Sequence, residues 1–320
     1  MIFQRSAFYF YIEKTRNLCY NIEEITLIGE IVMKMINITI PGHDDATLEG
    51  YILDCEISLG QETERPAIVI CPGGGYIYCS PREGEPVALA YAARGMHAFI
   101  LRYSTGRKAA GFTPLDEMNF VIGYIREHAK EWHIDPEKIL TCGFSAGGHL
   151  ALAAGVMGKN RPNGMVLCYP ATSMPNMPGA DMMLKLLTGR NEATDADAEG
   201  LELISKVDKN APPVFLVATA EDMLTGFGAL PLAKRYSDLR LGYELHIFQH
   251  GPHGYSLANE VSADGSSQVL NESYAKWVDM SVSWIKKVFG EPVFIDKSTS
   301  KIAKYMAELG IDMNGNFGNA

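Results

Sequence analysis

The sequence predicts an α/β chain, a mostly parallel central sheet with helices on both faces and a small inserted cap. Three observations carry that expectation. Short apolar runs of buried-strand type (67–71, 164–169, 213–218) alternate with stretches of helical periodicity, and repeated strand–helix units imply a parallel sheet covered on both sides. One junction, Gly143-Phe144-Ser145-Ala146-Gly147, has an apolar run (Ile139-Leu140) before it and an alanine-rich, helix-prone run (Leu150 to Val156) after it. A serine in a sharp strand-to-helix turn is the context of a nucleophile elbow, where small flanking residues let strand and helix approach. The remaining chemistry-bearing motifs also fall at strand carboxyl ends, where such sheets carry their sites.

Residues 1–32 do not read like the rest. Phe8-Tyr9-Phe10-Tyr11-Ile12 is aromatic but lacks the basic start and small-residue cleavage site of a signal peptide. Two readings stand: an N-terminal extension of translated upstream sequence, with Met33 or Met35 the true start, or an extra strand or helix. The main domain is expected over 33–290. An opening hairpin comes first, with Ile36 to Ile40 alternating, a turn at Pro41 to Asp45, and a second strand from Leu48 to Ile57. The apolar strand Ala67 to Cys71 runs into Pro72-Gly73-Gly74-Gly75-Tyr76, and a helix over Pro86 to Arg94 leads to a strand at His97 to Tyr103.

Leu115, Met118, Ile122, Ile125 and Ala129 recur at helical spacing, and Asp135-Pro136 is expected as a turn before the elbow strand. After the strand Gly164 to Tyr169, residues 171–210 break the alternation. They carry Met174, Met177, Met182 and Met183, then acidic residues, and are read as the cap. The alternation resumes with a strand at 213–218, a helix at 229–239 and a strand at 243–248. A closing helix is expected to turn Tyr274, Trp277, Ser281, Trp284, Ile285 and Val288 to the core, and its spare apolar surface suggests a homodimer. Residues 291–320 read as a tail with a frayed end.

Composition removes several function classes. A formal charge of −10 and the absence of a Lys/Arg cluster argue against nucleic acid or an anionic membrane as partner. No apolar run approaches the ~18 residues of a membrane span. Six cysteines, scattered without C-x-x-C or zinc spacing, fit a reducing cytoplasm and give no metal site. The triple glycine is not a phosphate cradle, since neither G-x-x-x-x-G-K-[ST] nor G-x-G-x-x-G is present. No cofactor is implied.

Ser145 needs a base within hydrogen-bond reach. The segment His250-Gly251-Pro252-His253-Gly254 follows the last predicted strand, and His253, between proline and glycine, is better placed to present its ring than His250 at the strand end. His149, one turn into the elbow helix, is expected to pack or bond locally. The base needs a carboxylate to set its tautomer, and Glu221-Asp222, just after the strand at 213–218, offers two. Backbone N–H groups of Gly73-Gly74-Gly75 and of Ala146 are the candidates for an oxyanion hole, one such donor being worth about 10²–10³ in turnover.

With these motifs together, and with Gly143 to His149 reading Gly-Phe-Ser-Ala-Gly-Gly-His, the chain resembles the α/β-hydrolase esterases over about residues 36 to 290. Within them it is most similar to acetyl-esterase and acetylxylan-esterase-like members related to the hormone-sensitive-lipase group. The resemblance implies a Ser145–His253–Asp222 triad in the nucleophile–acid–histidine order of that fold, and oxyanion donors at Gly73, Gly74 and Ala146. Pro72 stands where the lipase group has the histidine of His-Gly-Gly-Gly, which points to the carbohydrate-esterase branch. The expected activity is metal-independent hydrolysis of a small-molecule ester with a short acyl group, on acetylated sugars or xylo-oligosaccharides. Tyr76 and the methionines of the cap are candidates to line the substrate site, with core packing the competing role for the methionines. A peptidase or amidase, a lipase, and a binding module without catalysis are the alternatives.

Overall fold

The structure, a computed structural model, describes residues 20–23, 33–57, 61–175, 177–296 and 308. Strands β1 (Tyr20–Glu23), β2 (Met33–Ile40) and β3 (His43–Leu53) form an antiparallel meander. The two-residue β4 (Glu56–Ile57) pairs back on the start of β5 (Gln61–Cys71). From β5 onward the main strands run parallel: β6 (His97–Arg102), β7 (Ile134–Phe144), β8 (Gly164–Cys168), β9 (Val214–Thr219) and β10 (Tyr243–Phe248). β11 (Val293–Asp296) lies antiparallel against the first residues of β5.

The order across the sheet is β1-β2-β3-β6-β5-β7-β8-β9-β10. The chain lays β6 on one side of β5 and then crosses back to place β7 on the other. That reversal leaves a crevice above the carboxyl ends of β5 and β7, the place where open α/β sheets receive ligands. Pro72-Gly73-Gly74 leaves β5 there, and Ser145 leaves β7.

Strand alternation divides the core in two. Ala67, Val69 and Cys71 of β5 and Phe99 and Leu101 of β6 face one layer. Ile68 and Ile70, with Ala98 and Ile100, face the other, as the period of two requires. Helices α2 (Thr113–Glu127), α3 (Ala146–Met157) and α6 (Ala229–Asp238) cover the first face, and α1 (Glu85–Ala92) and α8 (Trp277–Phe289) the second. α3 is buried along nearly its whole length, which is why its sequence is apolar and alanine-rich without amphipathic periodicity.

The cap consists of α4 (Ala180–Thr188) and α5 (Asp195–Leu201), the latter started by a capping box between Thr194 and Asp197. Met174, Met177 and Met183 are buried beneath it, and Met182 is exposed. Among the described residues no helix is long and apolar enough to cross a membrane.

Several expectations need correction. The turn expected at Asp135-Pro136 is present but lies inside β7: residues 135–138 stand out between the pairs Ile134–Arg65 and Ile139–Ala67, and Asp135 Oδ1 accepts the Glu137 N–H at 3.0 Å; that irregularity accommodates a residue with no N–H to donate. The closing helix is split into α7 (Glu272–Ala275) and α8, and Val288 points to solvent at 44% exposure, while the other five named positions are buried. The expected tail begins as strand β11, because Val293 to Asp296 find backbone partners in Glu64 to Gln61. Of the leading segment, Tyr20–Glu23 pair with β2, and the aromatic run at 8–12 lies outside the described residues.

Candidate active site

Ser145 sits at the apex of the turn from β7 to α3 with φ 51° and ψ −116°. A non-glycine residue in that region is strained and is kept there only by its surroundings. The surroundings are bonds to the next strand: Ser145 N–H donates to Cys168 O (3.1 Å), and Ala171 N–H donates to Ser145 O (3.0 Å). The turn also needs close backbone approach. A Cβ on Gly147 would lie 2.0 Å from Cys71 O and 2.4 Å from Pro72 O, so the helix start touches the β5 end through a bare glycine.

The structure brings the three separated motifs together. Ser145 Oγ lies 2.8 Å from His253 Nε2, and His253 Nδ1 lies 2.8 Å from Asp222 Oδ2. Asp222 is buried in the turn after β9, and its other oxygen accepts the Leu224 N–H at 2.8 Å. As a carboxylate it can only accept, so His253 Nδ1 carries the proton and Nε2 is left to accept from the serine hydroxyl. The His253 ring is partly exposed, with a side-chain exposure of 31% against 1% for Asp222. That is the pattern of a base reachable by substrate on an orienting acid that is not.

Glu221 does something different from Asp222. It is exposed, and its carboxylate takes His250 Nδ1 at 2.8 Å and the Gly251 N–H at 2.9 Å. Those bonds hold its pKa below the usual glutamate value, the His250 hydrogen bond contributing most. Glu221 and His250 therefore staple the start of the loop that carries His253. Thr219 Oγ adds a second staple by donating to Gly251 O.

The glycine loop after β5 departs from expectation at its first glycine. The Gly73 N–H donates to Glu83 Oε2 at 2.8 Å, so it is not free to serve as the donor expected of it. Gly73 nonetheless lies against Ser145, since a Cβ there would be 3.1 Å from Ser145 Cβ. The Gly74 N–H carries no such bond. As the first residue of α3, Ala146 has no acceptor for its N–H within the helix. Gly74 has φ +124°, and a Cβ on it would meet Tyr78 O at 2.1 Å, so glycine is required there.

Tyr76 also needs correction. It is wholly buried, and its hydroxyl lies 2.9 Å from His149 Nδ1. The aromatic ring packs among Tyr103, Phe112 and His149, so it belongs to the core under the loop and not to the substrate surface. Residues Ile77 and Tyr78, just beyond, are the exposed ones, and Met182 of the cap lies over Gly75. Of the two roles expected for His149, it takes packing: its ring is buried against Tyr76 and Phe112, and its bonds are not local. Its Nε2 reaches Leu201 O at 3.1 Å, and a carbonyl can only accept, so Nε2 carries the proton and Nδ1 accepts from Tyr76. Burial pushes this imidazole down to about 4.

Two participants escaped the sequence reading, Glu83 and Tyr169. Glu83 is buried on the 3₁₀ turn Pro81–Glu83, and its Oε1 accepts from the Tyr169 hydroxyl at 2.6 Å. That hydroxyl accepts the Ser256 N–H at 2.8 Å, and the Tyr169 ring stands edge-on to His253 with centroids 5.0 Å apart. Burial raises the Glu83 pKa, while its hydrogen bonds from Tyr169 and Gly73 and the nearby His253 act the other way. In the sequence Glu83 lies in Pro-Arg-Glu-Gly-Glu, which reads as a solvated turn, and nothing there marks the carboxylate as buried.

Comparison with known proteins places this geometry. The chain is 30% identical over 223 residues (64% of this chain, 35% of the relative) to endo-1,4-beta-xylanase B of Butyrivibrio fibrisolvens. It is 28% identical over 199 residues (60% of this chain, 41% of the relative) to an acetylxylan esterase of Xylanibacter ruminicola. The chain thus spans between a third and a half of the length of these curated relatives. Among solved structures it is similar to MGS-M1, an α/β-hydrolase enzyme from a Medee basin deep-sea metagenome library. The identity is 35% and the TM-score 0.68, covering 81% of this chain and 99% of that one. These likenesses bear out the resemblance to acetylxylan-esterase-like α/β-hydrolases. The BD-FAE family matches residues 53–227, more than half of the chain, and on that match this α/β-hydrolase chain belongs to the BD-FAE family.

Proposed function

We propose that the chain is a serine ester hydrolase acting on short acyl esters, acetylated sugars or xylo-oligosaccharides in particular. The observation that carries the reading is the unbroken relay Ser145 Oγ–His253 Nε2 and His253 Nδ1–Asp222 Oδ2, each link 2.8 Å. His253 takes the Ser145 proton as Oγ attacks the acyl carbon, and Asp222 stabilises the imidazolium that forms. Negative charge develops on the former carbonyl oxygen, and the N–H groups of Gly74 and Ala146 receive it. His253 then gives its proton to the leaving alcohol oxygen. Water, deprotonated by the same ring, attacks the acyl-enzyme and releases the acid.

Acetyl-sized substrates are favoured by the acetylxylan esterase relative and by Pro72 in place of the lipase-type histidine. The test is hydrolysis of p-nitrophenyl acetate, butyrate and octanoate by the wild type and by Ser145→Ala, followed by acetate release from acetylated xylo-oligosaccharides. The expected result is acetate turnover that disappears in the variant, together with deacetylation of the oligosaccharides. Equal rates in wild type and variant would refute the nucleophile. A preference for octanoate would refute the acetyl assignment.

A further inference from the structure

We propose that Glu83 is a positioning residue for this reaction: its buried carboxylate ties the oxyanion loop to the histidine loop, so that the donor at Gly74 and the base at His253 keep a fixed separation. The inference rests on the assignment of Ser145, His253 and Asp222 as the reacting constellation.

The two loops leave different strands, and the hydrogen bonds that join them directly run through Arg82, beside Glu83; none joins Gly73, Gly74 or Gly75 to residues 250–254 among the described residues. The oxyanion loop follows β5 and the His253 loop follows β10. Glu83 lies between them. Oε2 receives the N–H of Gly73, the residue before the proposed donor, at 2.8 Å. Oε1 receives the Tyr169 hydroxyl at 2.6 Å, and that same hydroxyl accepts the N–H of Ser256, three residues after His253, at 2.8 Å. The Ser256 hydroxyl then donates to Arg82 O at 2.6 Å, returning the chain of bonds to the residue beside Glu83. Both Glu83 oxygens, the Tyr169 hydroxyl and the Ser256 N–H and hydroxyl all have partners, while Arg82 Nη2 beside them is buried without one; satisfied bonds of this kind stiffen a buried network.

The carboxylate is also in the form that this network needs. Both oxygens receive donors, which suits an ionised, acceptor-only group. Burial of a carboxylate is costly unless paired, and no Lys or Arg pairs with Glu83 among the described residues. The neighbouring Arg82 turns its Nε to Ser262 O at 2.5 Å instead. A glutamine would fill the same volume at no such cost. It cannot serve as well, because its single oxygen would have to accept from both Gly73 and Tyr169.

The ionisable groups around His253 are Asp222 on its Nδ1, Ser145 on its Nε2, the Tyr169 ring at its edge, and Glu83 behind Tyr169. Arg82 and Tyr274 lie beyond, within electrostatic reach of Glu83. The Glu221–His250 pair sits at the start of the loop. The loss of a positioning carboxylate has a kinetic signature. It lowers kcat with little change in KM, because the oxyanion donor acts in the transition state. A residue that only fills space does not give that split.

The experiment measures kcat and KM with p-nitrophenyl acetate for the wild type, Ser145→Ala, Glu83→Gln, Tyr169→Phe and the double variant. For Glu83→Gln the expectation is a fall in kcat of about tenfold or more with KM changed less than about threefold, the scale of a misplaced oxyanion donor. Tyr169→Phe keeps the ring and breaks the bridge; it should lower kcat as well, and the double variant should be no slower than the slower single. Wild-type kcat in Glu83→Gln overturns the proposal, as does a loss that falls on KM and not on kcat, and as do fully additive losses. Should Glu83→Gln fail to fold, Tyr169→Phe decides alone, and wild-type kcat in that variant overturns it. An active Ser145→Ala defeats the site assignment itself. An inactive Ser145→Ala with an unimpaired Glu83→Gln defeats only the role of Glu83.

Discussion

Acid should destabilise this protein through His149, and the size of the effect follows from the structure. The ring is fully buried between Tyr76 and Leu201, and its pKa is pushed from 6.5 down to about 4 by burial. Because folding depresses this pKa, the unfolded chain takes up the proton first as pH falls. Stability present above about 6.5 is therefore lost progressively toward about 4. Between pH 7 and pH 5 a group with these two values loses about 2 kcal/mol of folding free energy. His97, nearly as buried and also held at about 4, adds a similar amount in the same direction. Glu83 and Glu117 carry raised pKa values, again chiefly from burial, and act with the opposite sign.

A comparison of variants removes those other contributions. His149→Gln retains an acceptor and a donor at the end of the side chain but cannot titrate. Urea unfolding at pH 7 and pH 5, analysed by linear extrapolation, should show the wild type losing about 2 kcal/mol more than the variant over that interval. The readout is the difference of differences, so a packing penalty common to both pH values cancels. Equal losses in the two proteins would refute the reasoning. Either the ring would then be hydrated, or its bonds to Tyr76 and Leu201 would be worth too little to keep it neutral.

Two further predictions separate neighbouring residues by role. Asp222→Asn should lower kcat by about 10³–10⁴ by favouring the wrong His253 tautomer. Glu221→Gln should change it by less than about threefold, since an exposed staple contributes little; the reverse order in a p-nitrophenyl acetate assay would exchange their assignments. Tyr76→Phe should cost about 1–3 kcal/mol by leaving the buried His149 Nδ1 without its donor, with KM unchanged. A raised KM at unchanged stability would instead put Tyr76 in contact with substrate.

What could be read from the sequence was whatever depends on neighbours along the chain. The strand at 243–248 has the bounds expected of it, and the core strands read as continuous apolar runs because both of their faces are covered. The elbow was legible because its glycines serve contacts within a few residues and one strand away. His253 was legible because a loop after a terminal strand can present a ring. The errors all concern tertiary partners. Gly73 looks like Gly74 in sequence, and only the approach of Glu83, ten residues on and folded beneath, separates them. Tyr76 follows three glycines and reads as exposed; its burial depends on His149 from the other side of the elbow. Val288 keeps the helical spacing of the core positions, but in the last turn of α8 it is Phe289 that packs on Gly164 at the start of β8, and Val288 is left exposed.

The same partners explain how a glycine loop with no side chains of its own can aim a backbone N–H. Gly74 lies between two anchors, Gly73 held by the Glu83 carboxylate and Tyr76 held by the neutral His149 ring. Both anchors are buried titratable groups in the form that offers an acceptor, and both lie deeper than the reacting atoms. Tyr169 extends the arrangement to His253, and its own backbone is strained at φ 38° and held by an N–H bond to Val217 O at 2.7 Å. Ser145 and Tyr169, two non-glycine residues at positive φ, thus leave adjacent parallel strands against the same histidine, Ser145 by a hydrogen bond and Tyr169 by an edge-on ring contact. Strain of this kind persists only where the surroundings over-determine it, and here the sheet supplies the surroundings. Ile77 and Tyr78 close the loop through their backbones, the Ile77 N–H donating to Gly74 O at 2.9 Å, while their exposed side chains and that of Met182 belong to neither anchor.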